Sequence, residues 1–146
     1  MVDPSIKGYQ FKPVVGTVEG GRLRAFFRSI GETNPAVTGP DTSGRVAIPP
    51  TYLFCLEMLD ADDPFGFVNE IGVGIDEILH ANQSFTYHHP IYVGDTVTFR
   101  AKVGDIFEKK GGALIFVVQD VEISNQDEKL VAEIQRTFVI RKEIVA

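Results

Sequence analysis

From Ile78 onward the chain alternates apolar and polar residues with a period of two, and this run leaves few folds open. In TVTFRAKV the side chains of Val97, Phe99, Ala101 and Val103 fall on one face, with Thr98, Arg100 and Lys102 on the other. That is the pattern of a half-buried strand. HANQSFTYHHPI sets Gln83, Phe85, Tyr87 and His89 against Ser84, Thr86 and His88. ALIFVVQDVEIS is apolar on both faces at its start, which predicts a central, covered strand, and LVAEIQRTFVIR supplies the last one. The segments VGD, KKGG and NQDEK between them are short and rich in turn residues, so consecutive strands are expected to run antiparallel.

The first half has a helical period instead. In GRLRAFFRSIG, Leu23, Phe26, Phe27 and Ile30 recur at i, i+3, i+4 and i+7, which predicts one inward apolar face, with Gly31 as the stop. PPTYLFCLEML predicts a second, buried helix: proline is tolerated in the first turn, and Leu53, Phe54, Leu56 and Met58 leave little polar surface. PVVGTVE reads as a short strand, DADDPFGFVNEIGVG as a loop with some short helix, and residues 32–50 as a long connection rich in Gly, Pro, Thr and Asp. A loop of that length in a compact domain is more often functional than accidental. Helices followed by a strand meander give an α+β fold with the sheet laid against helix. With no repeat or linker, residues 1–146 are expected to form one domain around one core.

Composition excludes several function classes. The chain is 44% apolar and 23% charged, as globular domains are, and its net charge of −6 comes with scattered basic residues, so no nucleic-acid partner is expected. The N-terminal MVDPSIKGYQFKP lacks the regions of a signal peptide, and no window approaches the roughly 18 apolar residues of a membrane span. A cytoplasmic location without membrane contact is the expectation. Cys55 is the single cysteine and sits in an apolar run, as a small buried hydrophobe would. No Ser-His-Asp set, phosphate loop or dinucleotide fingerprint is present, so no cofactor, neither NAD nor ATP, is expected.

The residues able to carry chemistry cluster around GETNPAV. Glu32 follows the first helix directly, and partial burial would raise its pKa toward the range useful for moving protons. The amide of Asn34 can hold a water or orient a carboxylate, although Asn-Pro also opens turns. Pro49 and Pro50 have no N–H, so an oxyanion donor at the start of the second helix must come from Thr51 or Tyr52, with their hydroxyls as further candidates. His88 and His89 are adjacent; in a regular strand they face opposite ways and cannot chelate one metal, so no metal site is expected.

The whole chain resembles the MaoC-like hot-dog hydratases and dehydratases of acyl thioesters, and two stretches carry the likeness. GETNPAV resembles the family's loop of aspartate, any residue, asparagine, proline and a histidine two residues beyond the proline. QSFTYHHPIYVGDTV resembles its strand and turn, with Phe85, His89, Pro90, Gly94 and Asp95 at matching spacing. The resemblance implies an antiparallel sheet wrapped around a central helix. It also implies a lyase (a hydro-lyase) interconverting (R)-3-hydroxyacyl and trans-2-enoyl thioesters of CoA or acyl carrier protein (ACP). It makes Glu32 and Asn34 the catalytic candidates and Thr51, Tyr52 and His89 the substrate-binding ones, His89 as a hydrogen-bonding residue of the family-like strand. His80 is placed to approach a loop of an opposite subunit.

This sequence departs from the pattern at two places. Glu32 stands at the aspartate position and Val37 at the histidine position, and Pro49-Pro50 replaces the His-Gly before the central helix. In these respects the chain looks most like the degenerate N-terminal half of double hot-dog dehydratases and the non-catalytic subunit of mycobacterial-type heterodimeric 3-hydroxyacyl-ACP dehydratases. Dimerisation with itself or another hot-dog chain is implied. A non-catalytic acyl-binding or partner-stabilising subunit is the rival reading, and a hot-dog thioesterase a third. Arg22, Arg24 and Arg28 are the local cations available to a carrier protein.

Overall fold

The structure, a computed structural model, describes residues 2–141. Its strands are β1 (Val14–Thr17), β2 (Ile78–Tyr87), β3 (Thr96–Lys109), β4 (Leu114–Asn125) and β5 (Leu130–Arg141). Its helices are α1 (Gly20–Ser29), α2 (Pro35–Thr38), α3 (Tyr52–Asp60) and α4 (Gly66–Glu70). All strand pairs are antiparallel and the sheet order is β1-β3-β4-β5-β2. The strand expected to be central, β4, is the central one, and β2 is left at an open edge.

The sheet curls around α3, and two apolar clusters fill the space between. The first joins Leu23 and Phe27 of α1 and Tyr52, Leu53 and Leu56 of α3 to Val97, Phe99, Val121, Ile123 and Ile134 of the sheet. Burying each such leucine stabilises the fold by about 1.5–3 kcal/mol. The second joins Val68 of α4, Ile71 and Val73 to Val103, Ile115, Val117 and Ile140. Along β4 the inward positions pass from Ile115 and Val117 in one cluster to Val121 and Ile123 in the other, and the position between them is Gln119. Its cross-strand neighbour on β5 is Arg136. The sheet therefore carries a polar pair at the seam between its two apolar cores.

The long connection is tied down rather than loose. The Val93 N–H donates to the Val46 carbonyl and the Ile48 N–H to the Ile91 carbonyl, each at 2.9 Å. The buried carboxylate of Asp95 accepts from the Tyr92 N–H at 2.8 Å, from Gln126 at 3.1 Å and from Arg45 at 3.2 Å, while the Arg45 guanidinium lies 3.7 Å over the Tyr92 ring. Gly94 makes this turn possible, since its φ of +93° suits glycine and few others. The VGD segment is thus the anchor for residues 41–48 as well as a strand turn.

Two expectations need correction. Ile30 does not complete the inward face of α1: the helix stops at Ser29, and Ile30 caps it with 53% of its surface exposed. His88 and His89 do not alternate across a strand, because β2 ends at Tyr87. The N–H groups of both histidines donate to one acceptor, the Val131 carbonyl, at 2.9 and 3.2 Å. An extra residue at a strand end has this geometry, and it breaks the period of two. No helix among the described residues is long and apolar enough to cross a membrane.

Candidate functional site

The loop after α1 is built by its own polar side chains. Gly31 takes a left-handed φ of +70°, and the Glu32 N–H reaches back 2.9 Å to the Phe27 carbonyl, which closes the helix. The Glu32 carboxylate accepts the Asn34 N–H at 2.8 Å. Asn34 in turn caps α2, its side-chain oxygen accepting the Ala36 N–H at 3.0 Å with Pro35 in the first helical position. Val37 follows on the surface, 37% exposed. Both catalytic candidates are thus engaged in local hydrogen bonds that shape the loop.

At the entrance to α3, Thr51 adopts φ +73°, a left-handed conformation that is unfavourable for a β-branched residue. Burial raises the pKa of the nearby Tyr87 phenol, and a backbone hydrogen bond at Thr51 partly opposes the rise. The Tyr52 N–H is directed to the Pro49 carbonyl at 3.3 Å. The Tyr52 ring packs edge-on against Phe26 at 5.1 Å, and its fully buried hydroxyl has no hydrogen-bond partner among the described residues. Tyr87, His88, His89, Pro90 and Pro50 line a small cleft of about 330 Å³. Thr51 is thereby brought next to a wall of the His89 cleft, whereas Glu32 and Asn34 line no part of it. His89 contributes a backbone hydrogen bond, and its side chain is exposed. His88 is bonded to Glu133 at 2.7 Å.

A larger cavity of about 870 Å³ opens elsewhere, between α3, the α4 region and the sheet. Phe54, Phe67, Phe99, Phe138, Val14 and Ile78 give it apolar walls. Its floor holds the polar seam: Glu57 of α3, Gln119 of β4 and Arg136 of β5, which are 8%, 4% and 4% exposed. Arg136 forms a short ion pair with Glu57 and donates to the Gln119 side-chain oxygen at 3.2 Å. Its Nε has no partner among the described residues. A buried donor left so is costly, which makes this atom conspicuous. His80 closes one side, 5.1 Å from the Phe138 ring and 5.7 Å from Phe54. Desolvation, and then the Arg136 charge, lower its pKa from the ordinary 6.5, while a backbone hydrogen bond at Asn82 opposes them. Asp60, Asp62, Asp63 and Glu70 also line it, with Asp62 paired to Lys12 at 2.7 Å, Asp60 paired to Arg22, and Glu70 accepting from the Tyr9 hydroxyl at 2.8 Å. No group of three His, Cys, Asp or Glu among the described residues is arranged to hold a metal.

Residues 5–134 match the family model described as FAS1-like, dehydratase domain region. The chain belongs to that family. Among its relatives in sequence it is similar to a UPF0336 protein of Parafrankia, 30% identical over 118 residues that cover 76% of this chain and 75% of the relative. It is also similar to a UPF0336 protein of Streptomyces avermitilis, 27% identical with 82% and 83% covered. Its fold is that of the hot-dog proteins. The HadBC (3R-hydroxyacyl-ACP dehydratase) complex of Mycobacterium tuberculosis has a chain that superposes with a TM-score of 0.76 at 24% identity, over 92% of this chain and 96% of that one. The ChsH1-ChsH2 complex from the same organism gives 0.74 at 22%, with 94% and 87% covered, and an (R)-hydratase of A. caviae gives 0.65 at 18%, with 90% and 94% covered.

The polar cavity residues that motif reasoning missed are Glu57, Gln119 and Arg136, while His80, singled out for an approach to an opposite subunit, lines the cavity. A signal for them existed. Arg136 falls on the inward period between Ile134 and Phe138, Gln119 between Val117 and Val121, and Glu57 is the single charge inside YLFCLEML. Polar residues at core positions with a complementary charge elsewhere predict a buried polar set.

Proposed function

We propose that this chain is the acyl-binding, non-catalytic hot-dog subunit of an enzyme that interconverts 3-hydroxyacyl and trans-2-enoyl thioesters, with the proton chemistry done by a second hot-dog chain. Hydration of the enoyl double bond needs one group to take a proton from water, another to protonate the α-carbon, and donors for the enolate oxygen. The observation that carries the reading is the separation of functions in the fold. The carboxylate and amide of the hydratase-like loop hold the loop together, Val37 stands in place of the histidine, and the large apolar cavity lies away from all of them. A cavity of about 870 Å³ lies within the roughly 300–1,000 Å³ range of small-molecule sites.

The partner is expected along β2. This strand is one of the two edges of the sheet, the other being the short β1, and Leu79 on it is 62% exposed. Two neighbours of similar fold, HadBC and ChsH1-ChsH2, are complexes of differently named chains. Edge-to-edge pairing with a second hot-dog chain would continue the sheet and cover this edge. The alternatives, self-sufficient catalysis led by Glu32 and thioester hydrolysis, are separated by one assay. Enoyl hydration by the isolated chain that is lost in Glu32→Gln establishes the first, and release of free thiol establishes the second. The proposed subunit does neither alone and raises the rate of an intact partner.

A further inference from the structure

The outer face of the sheet is polar over one half and largely apolar over the other. Ile115, Val117, Phe138 and Ile140 are buried in the interior, so alternation turns Leu114, Phe116, Val118, Thr137, Val139 and Arg141 outward. The ladder registers align these with β3 in three straight rows. The first holds Lys109, Leu114 and Arg141, the second Phe107, Phe116 and Val139, and the third Asp105, Val118 and Thr137. The second row continues to Leu79 on β2, which is 62% exposed. Its Phe107 and Phe116 rings are stacked, with centroids 4.9 Å apart, and the Lys109 ammonium stands 5.5 and 5.0 Å from them. Further along the same face the rows turn polar, as in Lys102, Asp120, Gln135 and Ser84. An apolar patch confined to one half of a solvent-facing sheet marks a contact surface.

The three rows are complementary to themselves. A half-turn about the second row exchanges the first with the third, so on a second copy Phe107, Phe116 and Val139 meet their own counterparts, Leu114 meets Val118, Lys109 meets Asp105 and Arg141 meets Thr137. Each mixed pair then occurs twice, as a two-fold contact requires. A half-turn about the strand direction would instead set Lys109 against Arg141, so charge selects the first orientation. We propose that this face is a self-association surface, through which two copies of the chain pack back to back with their strands reversed. Asp105 already holds Lys7 at 2.8 Å, but those side chains are 49% and 61% exposed, and an exposed carboxylate can accept a second ammonium. Packed sheets are rotated by about 30°, an offset that the long lysine and arginine side chains span. With strands about 4.8 Å apart and rows about 7 Å apart, the face covers roughly 400 Å² per copy, half of a standard interface, so the association is weak and concentration-dependent. No residue of the three rows lines the large cavity, and the inference stands apart from the acyl-binding reading. With a second hot-dog chain on each β2 edge, the product is a two-plus-two assembly.

The test is a charge-reversal cycle read by sedimentation of the full chain at low ionic strength, where exposed charges are least screened. The wild type is expected to self-associate as its concentration rises. Lys109→Asp sets carboxylate against carboxylate across the contact and Asp105→Lys sets ammonium against ammonium, so each variant alone should associate about tenfold or more weakly. An equimolar mixture of the two single variants should recover the association, because both acidic positions of one copy then face both basic positions of the other. The double variant Lys109→Asp/Asp105→Lys should recover it as well. Pairing along the β2 edge is common to all of these proteins and cancels from the comparison. A mixture no tighter than its components overturns the inference, as do single variants that associate like the wild type, or a wild-type chain that stays unassociated up to its solubility limit. If Asp105→Lys does not fold beside Lys7, the mixture of Arg141→Glu with Thr137→Lys, the corresponding pair on β5, decides the matter in the same way.

Discussion

The carboxylate of Glu57 on α3 and the guanidinium of Arg136 on β5, 79 residues apart in sequence, form an ion pair inside the fold at the wall of a cavity of about 870 Å³. Removing one member leaves the other as a buried uncompensated charge, which costs about 3–5 kcal/mol, whereas replacing both by apolar residues of similar size is often neutral. Arg136→Met alone should therefore lower the urea midpoint sharply, and Glu57→Met/Arg136→Met should recover most of the loss. Additive losses in this cycle would show that the two groups do not depend on each other.

His80 sets a pH dependence of known sign. Its folded pKa lies below the ordinary 6.5, chiefly through desolvation. Between the two values the unfolded chain binds more protons than the folded one, so stability is full above about 6.5 and declines as pH falls toward the folded value. His80→Phe keeps the ring against Phe138 and Phe54 and removes the titration. The variant should show a flatter fall in unfolding midpoint from neutral to mildly acidic pH. An unchanged slope would assign the effect to other groups.

Thr51 holds a backbone conformation that costs a non-glycine residue about 1–2 kcal/mol, and its side chain makes no capping bond in return. Thr51→Gly relieves the strain at some cost in chain entropy and is expected to stabilise by about 1 kcal/mol or less. The backbone of residue 51, and with it the backbone interaction with Tyr87, is retained. A drop in melting temperature would mean that the threonine side chain contributes contacts that outweigh its strain.

The edge of β2 can be blocked at Gln83, which does not itself line the large cavity but stands opposite Arg136 in the ladder. The His88 N–H points to β5, and antiparallel alternation then turns the N–H groups of Tyr87, Phe85 and Gln83 outward to the open edge. Gln83→Pro removes one outward donor at a position where proline is compatible with an edge strand. Sedimentation should show the wild-type chain paired, with itself or with a hot-dog partner, and the variant shifted toward free chain. Equal association of both would place the interface elsewhere.

Much of this fold was legible because its signals are local. Val97, Phe99 and Val103 announce their face through a period of two, and Leu23, Phe26 and Phe27 through a helical one. Ile30 was misplaced because a helical pattern does not say where the backbone stops, and His88 and His89 because one extra residue at a strand end alters every orientation beyond it. The candidate site was less legible. Glu32 and Asn34 matched a motif by spacing, yet spacing does not show that their side chains are bonded to their own loop. Glu57, Gln119 and Arg136 come from three elements and meet only when α3 is laid on β4 and β5, so no window of sequence contains them together.

The most direct test of the division of labour is hydration of a trans-2-enoyl-CoA, followed by loss of enoyl absorbance. It is measured for this chain alone, for a hot-dog partner with an intact aspartate-histidine loop, and for the two together, using wild type and Glu32→Gln. Silence from this chain alone, with equal enhancement of the partner by wild type and variant, is the predicted result. Hydration by the single chain that disappears in Glu32→Gln would contradict it, and would make Glu32 the catalytic group.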